Sequence, residues 1–185
     1  MRIVFMFILS VILFSFKQEN EDYILWKKTR LLTWDDFKGR PEKRFAVAST
    51  HYVLYRYVSE DNGKIYAHVL SCFLPKESWK RKNYSDEYIL RHEQKHFDIV
   101  ELYARKLRKV LTTISVKNEE DAEEKLDALY KIYDKKMDVF QNLYDDETNN
   151  SMDSEKQKQW EENIDAGIDS LNAYQANTIK LKLYN

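Results

Sequence analysis

Apolar and polar positions alternate along the first half of the chain with a strand-like period and along the second half with a helical one. Ala46 to Val58 (AVASTHYVLYRYV) is rich in β-branched and aromatic residues with partial alternation, and Lys64 to Leu74 (KIYAHVLSCFL) alternates again. Between them Asp61-Asn62-Gly63-Lys64 carries turn chemistry, so the two segments predict an antiparallel hairpin. A shorter segment from Leu25 to Leu32 adds a candidate edge strand. Beyond residue 80 the pattern changes. Ser85 followed by Asp86 and Glu87 predicts a helix start, with a capping hydroxyl and then acids at the positive end of the dipole. That helix runs to about Thr112. Asn118, ahead of Glu119, Glu120 and Asp121, opens a second helix reaching Tyr144, and Ser154-Glu155-Lys156-Gln157 reads as a capping box for a third. Tyr144 to Ser151 is polar and reads as a loop. Gly39, Pro41, Gly63 and Pro75 all precede residue 80, and only Gly167 follows. Strands first and helices after predict an α+β fold: an N-terminal antiparallel hairpin or small sheet packed on a C-terminal set of long helices.

The length, 185 residues, suits one domain over residues 21–185 with a core of its own. With 43% hydrophobic and 14% aromatic residues the chain is globular rather than disordered. Its 30 Lys and Arg against 31 Asp and Glu create no global field for nucleic acid or an anionic membrane. At the N-terminus an apolar run from Ile3 to Phe16, broken only by Ser10 and Ser15, is short of the roughly 20 residues of a membrane span. Residues 1–20 are therefore expected to be a signal peptide or an N-terminal anchor. The expected location is outside the cytoplasm, periplasmic or secreted, with membrane contact only through an uncleaved N-terminal segment. The single Cys72 forms no internal disulfide and reads as a small core residue. Oligomeric state is not encoded in these patterns.

Only four histidines occur in the chain, and two of them flank a glutamate in His92-Glu93-Gln94-Lys95-His96. Positions i and i+4 of a helix lie one above the other, so both imidazoles can reach one cation. This is the spacing of zinc hydrolases, with two histidine ligands and a glutamate placed to activate water. At about 100° per residue, His96 falls near 40° from His92 and Glu93 near 100°, on a side shared with Ile89, Ile99, Tyr103, Leu107 and Val110. Gln94, Asp98, Glu101, Arg105 and Arg108 fall on the far side, which predicts a polar, solvent-facing surface. Glu101 and Asp98 point away from the histidines by about 180° and 160°, so a third ligand must come from another element. A carboxylate such as Glu93 inside the apolar stripe is costly unless something satisfies it.

Leu32-Thr33-Trp34-Asp35-Asp36-Phe37 with Gly39 and Pro41, Ser78-Trp79, the block from Leu90 to Arg108, Tyr144-Asp145, Glu147-Thr148 and Trp160 together resemble a bacterial family. It is known as a domain of unknown function (922) and often described as secreted zinc-dependent proteases. The resemblance implies a zincin-like fold, Zn²⁺ as cofactor, His92 and His96 as metal ligands and Glu93 as general base. Family members end the late loop with Tyr-Asp-x-x-Thr-x-His-Gly, whose histidine looks like the third ligand. This chain has Asn150-Ser151 there, and an amide oxygen is a poor zinc donor. Three outcomes are open. Asp145, Asp146 or Glu147 supplies a carboxylate; His51 or His68 reaches over from the hairpin; or the metal is weak or absent. Tyr144 is a candidate oxyanion donor. The expected activity is that of an exported zinc-dependent peptidase acting on peptide or protein substrates. The competing expectation is a catalytically degenerate binding or structural module that retains the frame.

Overall fold

The computed structural model describes residues 22–42 and 46–184. The expected signal peptide or anchor lies outside the described residues. In chain order the elements are β1 (Ile24–Leu25), β2 (Ala48–Ser49), β3 (Tyr52–Asp61), β4 (Lys64–Phe73), β5 (Trp79–Lys80), α1 (Glu87–Leu111), β6 (Ser115–Val116), α2 (Glu119–Glu147), α3 (Ser154–Ser170), β7 (Thr178–Lys180) and β8 (Lys182–Leu183). The architecture is α+β, as the pattern predicts.

The hairpin forms in register from Tyr52↔Phe73 to Asp61↔Lys64. Asn62 and Gly63 take φ of 51° and 70° at its tip, the left-handed pair that a two-residue turn requires. β4 is central: β3 covers one side of it, and β1 and β7 pair with the other. Its buried residues Ile65, Ala67 and Val69 join Ile99, Ala104 and Leu107 of α1 in the main core. Two strand expectations shrink. Of the Leu25–Leu32 segment only Leu25 lies in a named strand, as the end of β1, and the start of the hairpin segment, β2, pairs with β5 instead.

The helices begin where short polar side chains meet free backbone N–H groups, though not always at the expected residue. The Asp86 carboxylate, rather than Ser85, caps α1 by accepting from Tyr88 N at 2.7 Å. Asn118 caps α2, and Asp153, rather than Ser154, caps α3. A larger departure is that α2 continues through Glu147, so Tyr144 to Glu147 are helical, not a loop. Their polar composition hides a buried face, since Met137, Gln141 and Tyr144 all turn inward. The helix then ends in three successive left-handed residues, Asn149, Asn150 and Ser151 (φ 49°, 50° and 70°).

The polar side of α1 is also not solvent-facing. Gln94, Asp98, Glu101, Arg105 and Arg108 are all buried. α1 is the central helix, packed by the sheet, α2, α3 and the C-terminal segment, and only Glu87, Arg91 and Lys109 along it are exposed. Its charges satisfy one another. Glu101 accepts from Arg105 Nε at 2.8 Å, from Arg108 Nη1 at 2.9 Å and from Ser71 Oγ at 2.8 Å. Arg108 also donates to Val69 O and Asn177 Oδ1, tying the C-terminal segment to the sheet. Cys72 is buried as expected, and burial pushes its thiol up to about 11. Among the described residues no helix is long and apolar enough to cross a membrane.

Candidate metal centre

His92 and His96 lie on the side of α1 that meets α2, where Tyr144 forms the backing. The Tyr144 ring is fully buried, stacked on His92 at 4.6 Å between centroids and edge-on to His96 at 5.1 Å. Trp160 of α3 packs behind it at 5.6 Å and donates Nε1–H to Glu147. Gln141, one turn before Asp145, clamps His96. Its Nε2 donates to the His96 carbonyl at 2.9 Å and its Oε1 sits 2.7 Å from His96 Nδ1. A carbonyl can only accept, which fixes the orientation of the amide, so Nδ1 of His96 must carry a proton and donate. Nε2 is thereby the ring atom offered to the site.

Three atoms converge. Asp145 Oδ1 is 3.1 Å from His92 Nε2 and 3.0 Å from His96 Nε2, and the two nitrogens are 3.2 Å apart. A tetrahedral cation with bonds of about 2.0–2.2 Å has donor–donor edges of about 3.3–3.6 Å, a few tenths of an ångström longer than the three separations. Two neutral imidazoles and a carboxylate suit a divalent transition metal, with a fourth position left over. The residues present therefore fit such an ion: the group could hold one. Asp145 also lies in the last turn of α2, where the unpaired carbonyls of the helix end favour positive charge.

The electrostatics point the same way. Burial by itself would lower the His96 pKa, but the hydrogen-bonded Asp145 carboxylate, the nearby Glu93 and Gln141 outweigh it and lift the ring to about 8. Asp145 answers in kind: burial would raise it, yet hydrogen bonds and charge from His92 and His96 hold it well below the usual carboxylate range. The centre is thus arranged around positive charge between two rings and an acid. Two buried atoms here have no hydrogen-bond partner, Glu93 Oε2 and His92 Nδ1. An orphaned buried carboxylate oxygen is expensive, on the order of 1–3 kcal/mol or more. Thr50 Oγ donates to the Glu93 carbonyl at 3.1 Å, which brings the start of the hairpin to this edge of α1. The histidine side chains are 6% and 12% exposed against 37% for Asp145, so the centre opens on the Asp145 side.

The remaining candidates fall elsewhere. Asn150 is exposed, in left-handed backbone, with its N–H on Asp145 O at 2.8 Å, and it is outside the converging trio. Asp146 is exposed, and Glu147 is engaged by Trp160. His68 stacks on Tyr57 at 4.1 Å and bonds Ser59 and Thr178 on the sheet, and His51 Nε2 lies 3.9 Å from Glu42. Tyr144, the candidate oxyanion donor, has no exposure, and its hydroxyl lies 3.5 Å from the His92 carbonyl. Gln141 is the residue that sequence reasoning passed over. Its signal was a lone amide on the apolar face of α2, one turn from Asp145. Two clefts lie apart from the trio. One of about 420 Å³ between α1 and α3 is lined by Trp26, Lys95, Asp98 and Asp165, and one of about 530 Å³ lies on the outer side of α2.

Residues 74–165 match a family model described as "Bacterial protein of unknown function (DUF922)". That stretch contains all three converging residues and Glu93, and it leaves out the hairpin and the C-terminal strands. No curated protein and no solved structure matches the chain.

Proposed function

We propose that the protein is a zincin-like metallopeptidase in which His92, His96 and Asp145 hold zinc and Glu93 is the general base. The observation that carries this reading is the 3.0–3.2 Å triangle of donor atoms beside a buried carboxylate oxygen with no partner. When bound, zinc supplies a Lewis acid that activates water and polarises a carbonyl. Everything else is the work of this chain. Gln141 holds the His96 ring, and Tyr144 closes the space behind both imidazoles against water. Glu93 Oε2 takes a proton from the attacking water and passes it to the leaving amine. β3 is an edge strand, and Thr50 just before it bonds the Glu93 carbonyl, which suits an extended peptide added along the sheet. The apolar run Ile3–Phe16 agrees with a protein working outside the cytoplasm.

The test is zinc content combined with Glu93→Gln. Near-stoichiometric zinc in both proteins, with peptide hydrolysis reduced about 10²–10⁴-fold in the variant, is the expected result. Undiminished hydrolysis by Glu93→Gln removes the general base from the scheme. The second reading, a non-catalytic module keeping the frame, draws on Asn150 standing where the resemblance puts a third histidine. It predicts purified protein without zinc.

A further inference from the structure

The outer face of α2 carries a ridge that the metal centre does not use. Ile132, Val139 and Leu143 are 50%, 62% and 43% exposed. On an α-helix these positions fall within an arc of about 40° over about 16 Å, a continuous apolar line rather than scattered residues. Beside it lies the 530 Å³ cleft, floored by Tyr103 of α1 and Phe140. Lys131, Lys135 and Lys136 line it, no acid does, and Lys106 lies over the Phe140 ring at 5.3 Å beside it. Lys106 lies over the Tyr103 ring at 4.0 Å and Lys136 over Tyr133 at 5.4 Å, and none of the four lysines is in an ion pair with a described residue. On the line of the ridge the first acid after Leu143 is Asp146, about a turn on, and exposed Asp138 lies about 100° around the helix from Val139, on the Lys131 and Lys135 side.

We infer that this face docks on an anionic phospholipid surface, with Ile132, Val139 and Leu143 entering the interface and the lysines reaching the headgroups. Charge complementarity selects the occupant: an apolar line flanked by unpaired cations needs a surface that is apolar inside and negative outside. The chain's near-zero net charge conceals this, because the basic patch is balanced by acids on other faces. A second argument comes from the sequence. The 14-residue run Ile3–Phe16 is short for a span, and durable membrane attachment generally needs two contacts, of which a basic patch is one. Asp145 lies about 140° around α2 from Ile132, so a membrane on this face leaves the metal centre uncovered. The inference does not depend on that centre being catalytic.

The experiment is co-sedimentation of the full chain with phosphatidylcholine vesicles, with and without phosphatidylglycerol. Tighter binding to the anionic vesicles is expected, weakening as salt rises. Each surface lysine contributes about fivefold, so K131Q/K135Q/K136Q should lose on the order of a hundredfold of the anionic preference. Val139→Asp should lower binding to both vesicle types. Ile3–Phe16 is present in every variant, so differences between variants report on α2, and zinc content and circular dichroism report on folding. Equal binding to both vesicle types, or no change in the triple variant, overturns the inference. So does a dimer in light scattering that Val139→Asp dissociates, or saturable binding of an acidic amphipathic peptide in place of vesicles.

Discussion

Removing the Asp145 carboxylate tests whether this chain replaced a histidine ligand from a turn with an acid from a helix. Structural zinc sites with four protein ligands bind with about 10–16 kcal/mol, or about 2.5–4 kcal/mol per ligand, which corresponds to a factor of about 10²–10³ in affinity. Asp145 is 37% exposed, so water can enter where its oxygen was and recover part of the loss. The expected cost of Asp145→Ala is therefore at the lower end, on the order of a hundredfold in zinc affinity. Asp145→Asn should fall between, because it keeps an oxygen but not the charge. Asn150→Ala, at an exposed turn outside the trio, should leave affinity within about twofold. The assay is titration of metal-stripped protein with zinc against a chromophoric chelator. Cobalt absorption reports whether the remaining coordination is four-fold. The reasoning is refuted if Asp145→Ala binds zinc within about threefold of the parent, or if Asn150→Ala suffers the larger loss.

The raised His96 pKa gives two pH dependences of opposite sign. Zinc must displace the His96 proton, so affinity should rise about tenfold per pH unit up to about 8 and flatten above it; a flat profile from pH 6 to 8 excludes His96 as a ligand. In metal-free protein the raised pKa stabilises the fold below the unfolded value of about 6.5, and this is lost as pH rises through about 8. Denaturant midpoints should therefore report about 2 kcal/mol less stability at pH 9 than at pH 6. Ser151 holds φ at 70°, where a side chain is strained, so Ser151→Gly should raise stability by about 1 kcal/mol; a lower melting temperature contradicts this. Arg108 is fully buried against Glu101, and Arg108→Ala should cost about 3–5 kcal/mol, with a loss below about 1 kcal/mol showing that the network is dispensable.

The sequence by itself determined the parts governed by interactions between near neighbours. The Asn62-Gly63 turn and the hairpin it closes were legible because two left-handed residues accept few other geometries. The helix starts were legible to within one residue, since a capping side chain acts only on its own first turn. The pairing of His92 with His96 needed nothing beyond helical pitch. What tertiary structure decided was everything set by burial against distant segments. Asp145 is 53 residues from His92, and local polarity marked it as loop until the buried side of α2 carried the helix past Tyr144. Asp98, Glu101 and Arg108 looked like a solvent face until Trp26, the sheet and the C-terminal segment packed on α1 and supplied their partners. Periodicity along a chain reports which residues share a side. Whether that side meets water, a core or another charge depends on packing energy between elements far apart in sequence, which no local pattern contains.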